Sequence, residues 1–296
     1  FIRALWLKLV DNKKTVSLYA LSYLLPFILM YFLLYSQGVS WNGDRNTLAS
    51  DGFHQFVDFN VGLRDILHGT DSLFYSFKSA LGLNFYVLMS YYLGSFLSPL
   101  VFFFKMESMA NAIYLLTLIK FGLIGISTAT LLRKVYEKLS WSFVLLLSTS
   151  YAMMSFTVTQ LGFSTWLDVF IVVPLILLGL HNLITGKGKK LYFFTLVALF
   201  IQNFYFGFMM ALFLVLWFLT QLSWDFENRK KRSIDFLVVS GLAGLTSAIM
   251  LLPTIYDLTT HGQSTSVITR WTMEDAWYFD FFAKNFVGAY DTLKYH

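Results

Sequence analysis

The sequence predicts an all-α integral membrane protein, a bundle of about seven transmembrane helices with a large first external loop. Three observations carry that reading. Hydrophobic residues make up 57% of the 296-residue chain and charged residues only 13%, against roughly 25% charged in a soluble domain. Several runs of about 20 residues, the length that crosses a bilayer, are almost free of charge. The basic residues gather between those runs rather than along them.

Composition also excludes several classes. With no cysteine in the chain, disulfides, thiolate metal sites and thiol catalysis are ruled out. The 22 Lys and Arg outnumber 17 acids, a balance that in a soluble protein would suggest nucleic acid. In a membrane protein it follows from the basic bias of cytoplasmic loops, and no nucleic-acid motif accompanies it. The chain opens on Phe1, and residues 1–15 are basic without leading into a small-residue cleavage site. The expectation is a trimmed N terminus followed by a retained first span.

Residues 16–36 form that span, preceded by Arg3, Lys8, Lys13 and Lys14. The N terminus is therefore cytoplasmic and the segment from 37 onward external. Within it, 51–82 is too polar to cross a bilayer and too aromatic for a linker. On a helix, Asp51, Gln55, Asp58, Gly62 and Asp65 line one face, and Phe53, Phe56, Asn60, Leu63 and Leu67 another. An amphipathic helix at the membrane surface follows, with an acidic edge and an apolar one. Asp58 and Asp65 are expected on its solvated face.

Residues 84–104 are long enough to span, but Pro99 and a Tyr-rich middle speak against it. Orientation decides the point, because a crossing here would put every later basic loop outside. With 84–104 interfacial or re-entrant, the remaining spans are 108–132, 141–160, 168–185, 190–203, 205–224 and 234–256. The clusters Arg133/Lys134/Lys138, Lys187/Lys189/Lys190 and Arg229/Lys230/Lys231/Arg232 then join the N-terminal four inside, fourteen of the 22 basic residues. Lys120 alone lies within a span. Residues 190–224 are too long for one span and short for two. A polar break at Gln202-Asn203 predicts two short helices turning outside. Residues 257–296 read as a second external segment.

The pieces DGFHQF, LRDILHG, SLFYSFKSALGLNF and YYLGSFLSPL resemble the first external loop of the YfhO family of bacterial membrane proteins. TWLDVFIVVPLILLGLHNLI, QNFYFGFMM, SAIMLLPTIYDL and KNFVGAYDT extend the resemblance along nearly the whole chain in consistent order. Members look like glycosyltransferases of the GT-C class that use polyprenyl-phosphate sugars. The class implies a cytoplasmic N terminus, a catalytic acid in the first external loop and a seven-span module. Family members are implicated in decorating lipoteichoic acid on the outer face of Gram-positive membranes. The resemblance implies a GT-C-like module over 1–256, with the external loop 37–107 carrying the catalytic acid. Residues 257–296 would lead toward a further C-terminal region, since family members are much longer.

The implied chemistry needs a base to take the proton of an acceptor hydroxyl and cations to steady a leaving phosphate. Asp51 is the candidate base, with a helix cap as the competing role. Gln55, one turn on, would orient that carboxylate or bind sugar, and His54 lies beside it. Asp44, in an Asn-Gly-Asp turn, is the second choice. Asp168, at the outer mouth of a span, is costly there unless paired or functional, and would serve the acceptor or a metal. Lys120 is read chiefly as paired with a neighbouring helix or snorkelling. The phosphate falls to the external cations Arg64, Lys78, Arg270 or Lys284. No cofactor is required; a divalent metal on Asp51, His54 and Asp58 is the weaker reading. The expected partners are the lipid-linked sugar donor, the envelope polymer and the bilayer, with no nucleic acid. A lipid-linked-sugar flippase or a non-catalytic membrane scaffold is the alternative.

Overall fold

A computed structural model of the chain describes residues 13–48, 52–77, 82, 84–224 and 228–261. It divides into two compact units, Phe1–Pro253 and Thr254–His296. Of the second, only 254–261 are described, as the last turns of a long helix.

Six helices are long and apolar enough to cross a membrane. Helix α1 covers Lys13–Ser36. The first loop follows, with a π-helical turn Gly52–Val57 running into α2, Asp58–Leu67. A short α3, Phe85–Leu88, passes into a second π-helical turn, Met89–Leu93, and a 3-10 turn, Ser98–Phe103, completes the loop. Helix α4, Met109–Val135, is next. Helix α5, Trp141–Ala152, and the short α6, Ser155–Thr159, together make the third crossing. Helices α7, Ser164–Ile184, α8, Lys190–Gln202, α9, Phe204–Trp224, and α10, Arg229–His261, follow and end the described residues. No strand forms among the described residues, only an isolated bridge between Val39 and Arg45. The expected all-α membrane fold is what the chain adopts.

Residues 84–104 break into short pieces and do not span. Pro99 sits in the first turn of the 3-10 segment, where its missing N–H costs nothing. The predicted break at Gln202-Asn203 is also present, but only the first of its two helices is short, since α9 has 21 residues. Helix α8 has 13 residues, about 20 Å of rise against a hydrocarbon core of about 30 Å. Asn203 ends it in an extended conformation, φ −157° and ψ 105°, and its Oδ1 accepts the Phe206 N–H at 3.0 Å to start α9. The two helices then run back along each other. Tyr192 near the start of α8 and Phe218 late in α9 both stack on Phe236 of α10, at 6.0 and 4.2 Å.

Several boundaries differ from expectation, α10 running five residues further at each end than the predicted 234–256, and two of them bear on the site. The third crossing, predicted as one helix over 141–160, is interrupted at Met153–Met154. Thr157 Oγ1 takes up the freed Ala152 carbonyl at 2.7 Å. Helix α7 begins at Ser164 rather than at 168, which puts Asp168 a full turn inside it.

The basic clusters meet at one end. Trp141 Nε1, at the head of α5, donates to the Lys14 carbonyl at 3.1 Å. Lys189 before α8 pairs with Asp235 of α10 at 2.6 Å. The first loop occupies the other end. Between the ends, α4 lies against α1 where Pro26 has no N–H for the Ser22 carbonyl. Gly125 fills that gap, and a Cβ there would collide with the same carbonyl.

Candidate functional site

The loop end is built on Phe56. Its ring is 1% exposed and meets Tyr92 edge-on at 5.3 Å and Phe163 at 6.1 Å. Phe56 belongs to the first π-helical turn and Tyr92 to the second, so the two widened turns face one another. Such turns are uncommon and concentrate at functional sites. Where the first gives way to α2, Asn60 donates its amide to the Phe56 carbonyl at 2.7 Å. Leu63 is buried on the same side, while His54 and Asp58 face outward and Gln55 is half-buried.

The predicted apolar edge of this helix is buried at Phe56, Asn60 and Leu63 but exposed at Leu67, and its acidic edge is not uniformly solvated. Gly62 packs on the Phe85 ring, and Asp65 is buried at 7% exposure with Arg64 Nη1 at 3.2 Å. The reason is that 85–104 folds back over the far half of α2. Arg64 ties the two together, donating Nε to the Phe104 carbonyl at 2.6 Å.

Beneath the loop lies a buried polar network. Lys120 of α4 and Asp168 of α7 are 3% and 2% exposed. Lys120 Nζ stands 2.7 Å from Asp168 Oδ2, an ion pair rather than an aligned hydrogen bond. The same ammonium donates to the Ser164 carbonyl at 2.9 Å and reaches Ser164 Oγ at 3.1 Å. Thr117 Oγ1 lies 3.3 Å from that hydroxyl. On the other side, Ser95 of the loop donates to Asp168 Oδ1 at 2.6 Å. A cavity of about 20 Å³, lined by Phe56, Asn60, Ser98, Lys120 and Thr165, holds no more than about one water. The loop helix, through Phe56 and Asn60, and the charged pair, through Lys120, line the same small cavity.

Residues 22–296 match the family model described as the bacterial membrane protein YfhO. The chain belongs to the YfhO family. Six apolar helices and that membership make it a multi-pass membrane protein. No curated protein and no solved structure matches it.

In this YfhO-family protein the sequence-predicted residues fall into three groups. Asp51, Lys78, Arg270 and Lys284 lie outside the described residues. His54, Gln55 and Arg64 sit together on one loop helix. Asp168 is held by Lys120 and Ser95 beneath that helix. Asp44 is exposed just after the turn at 40–43, where the Gly43 N–H meets the Ser40 carbonyl at 3.0 Å. Asn42 and Asn111 bond each other twice, at 2.9 and 2.6 Å, docking this turn on the head of α4. Beside it is a recess of about 290 Å³ lined by Arg45, Asn46, Glu107, Asn111 and Tyr114. The buried Tyr114 hydroxyl has no partner among the described residues. No group of three His, Asp or Glu that could hold a metal forms among the described residues.

Sequence reasoning missed Ser95, Ser164, Thr117 and Asn60. The available signal was their polarity within otherwise apolar runs, since buried hydroxyls and amides need partners. It marks such residues as internal but does not say which helix supplies the partner. The Gln202-Asn203 break was read, but not its contact with the loop. Gly94 abuts the Gln202 backbone so closely that a Cβ would strike the Gln202 carbonyl.

Proposed function

We propose that this protein is a membrane glycosyltransferase of the GT-C type, with its N terminus cytoplasmic and its first loop outside. It would move a sugar from a polyprenyl-phosphate donor to an extracytoplasmic polymer such as lipoteichoic acid. The observation that carries this reading is the seating of the loop helix. Phe56, Asn60 and Leu63 fix it to the bundle while His54, Gln55 and Asp58 stay on its open side. Asp51 directly precedes this anchored turn, and family membership supports the rest.

In the proposed reaction Asp51 accepts the proton of the acceptor hydroxyl as its oxygen attacks the anomeric carbon. The bond from that carbon to the phosphate oxygen breaks, polyprenyl phosphate leaves, and the configuration inverts. Gln55 orients the Asp51 carboxylate. Arg64 has two donors engaged within the loop, so the leaving phosphate falls to Lys78, Arg270 or Lys284. Asp168 acts as a positioning residue, holding the loop through Ser95. The amide-lined recess at Asn46 and Asn111 suits a hydroxyl-rich acceptor.

A flippase would need polar groups along the bundle to carry a headgroup across. The charge of Lys120 is matched by Asp168, which favours surface chemistry over passage. The test is Asp51→Asn in the protein in its own membrane, with sugar incorporation into the envelope polymer as the readout. Incorporation should fall to background, with the variant inserted in normal amount. Full incorporation would overturn the assignment. Loss of binding of a purified lipid-linked sugar by the wild-type protein would instead favour a scaffold.

A further inference from the structure

A sizeable cavity lies at the basic end, away from the loop. It measures about 540 Å³ and is lined by the C-terminal turns of α4, α7 and α9 and the first turn of α10. Its walls divide by chemistry. Leu131, Leu177, Ile184 and Trp217 supply an apolar side. His181, Gln221 and Arg232 supply donors on the other.

We propose that this cavity binds the headgroup of an anionic glycerophospholipid of the cytoplasmic leaflet. The sign of the ligand follows from the surroundings. Arg133 and Lys134 end α4, Lys187 follows α7, and Arg229, Lys230, Lys231 and Arg232 begin α10. The acids described at this end are Glu137 and Asp235, and Asp235 is paired with Lys189. Three helix C termini also converge here, each worth about half a negative charge, which the cationic side chains outweigh. The basic bias of the loops makes this the cytoplasmic side.

That the ligand is a lipid, not a soluble anion, follows from what borders the cavity. Trp217 lines it and is 42% exposed, and its neighbours Leu216 and Leu219 are 64% and 55% exposed. A helix face of that composition faces acyl chains. The cavity thus joins the lipid surface on one side and the cationic loops on the other. A phosphodiester would meet Arg232, whose planar fork suits phosphate oxygens. The glycerol hydroxyls would meet Gln221 and His181, and an acyl chain would leave past Leu177 and Trp217. Basic recesses between helices on the cytoplasmic side take lipid headgroups in this manner. The site is separate from the loop and does not rest on the transferase reading.

The experiment titrates the full chain, purified in a neutral detergent, with fluorescent short-chain phosphatidylglycerol. Phosphatidylcholine of the same chain length and inorganic phosphate form the other arms. Saturable binding of phosphatidylglycerol is expected, with phosphatidylcholine much weaker. Arg232→Ala should weaken binding about five-fold, the value of one cation near a lipid surface, and Arg232→Lys should restore most of it. Leu177→Trp fills the cavity without touching its charge and should weaken binding at least as much. If Arg232→Ala does not fold, Leu177→Trp and Arg232→Lys still decide the matter. Equal binding of both lipids, or binding indifferent to Leu177→Trp, would overturn the proposal. Displacement of the lipid by inorganic phosphate would overturn it too, making this a soluble-anion site.

Discussion

Lys120 meets Asp168 at 2.7 Å and Lys189 meets Asp235 at 2.6 Å, yet the two pairs sit in opposite settings. The first is at the loop end, with both side chains 3% exposed and further bonds from Ser95 and Ser164. The second is at the basic end, with its lysine 52% exposed. Distance alone makes them look equal. Burial decides what each contributes, because an exposed pair is solvated in either state and a buried one has nowhere else to put its charge. The charged pair at the loop end is therefore closed off from solvent, and the pair at the basic end is open to it.

The comparison breaks most sharply if one charge is removed. Lys120→Met leaves Asp168 buried without its cation and should destabilise the protein by about 3–5 kcal/mol, read as a lowered unfolding midpoint in detergent. Adding Asp168→Leu should recover most of that loss, and a double variant no better than the single would refute the pairing as the cause. Phe56→Ala should cost about 3 kcal/mol through the cavity it leaves, with the proposed transfer activity lost alongside as the loop helix loosens. Gly94→Val forces the loop off the Gln202 backbone and should cost about 1–3 kcal/mol, visible as faster proteolysis of the first loop. Asn203→Ala removes the cap of α9 and should cost about 1 kcal/mol. Lys189→Ala should change the midpoint by less than about 1 kcal/mol. An effect there as large as that of Lys120→Met would erase the distinction between the two ends.

Much of the architecture was legible because it is written in one-dimensional properties. Run length and charge place the spans, and Gln202-Asn203 marks the turn between α8 and α9. Pro99 and orientation kept 84–104 from being read as a span. The site was less legible because it depends on which elements meet. Asp168 was placed at an outer mouth and Lys120 at mid-span, depths that do not suggest contact. Helical side chains lean toward the N terminus of their helix, which for α4 is the loop end, and α7 starts a turn earlier than predicted. Together these bring the ammonium up and the carboxylate in. Asp65 was expected in solvent for a similar reason: helical spacing gives a residue its face, not what covers that face. The segment that covers it, 85–104, packs through Phe85 and the Phe104 carbonyl.

The Lys120–Asp168 pair also sets an order for the birth of the protein. Lys120 enters the membrane on α4 before α7 has been made, and Ser164, the first of its partners, follows 44 residues later. At about 5–20 residues per second the ammonium waits on the order of seconds. Through that time α4 carries about 2.5–3.5 kcal/mol of insertion penalty, offset by the leucines, isoleucines and phenylalanine around it. That cost is relieved only when α7 brings Ser164 and Asp168 to the ammonium, so the polar lock closes after α7 has been made.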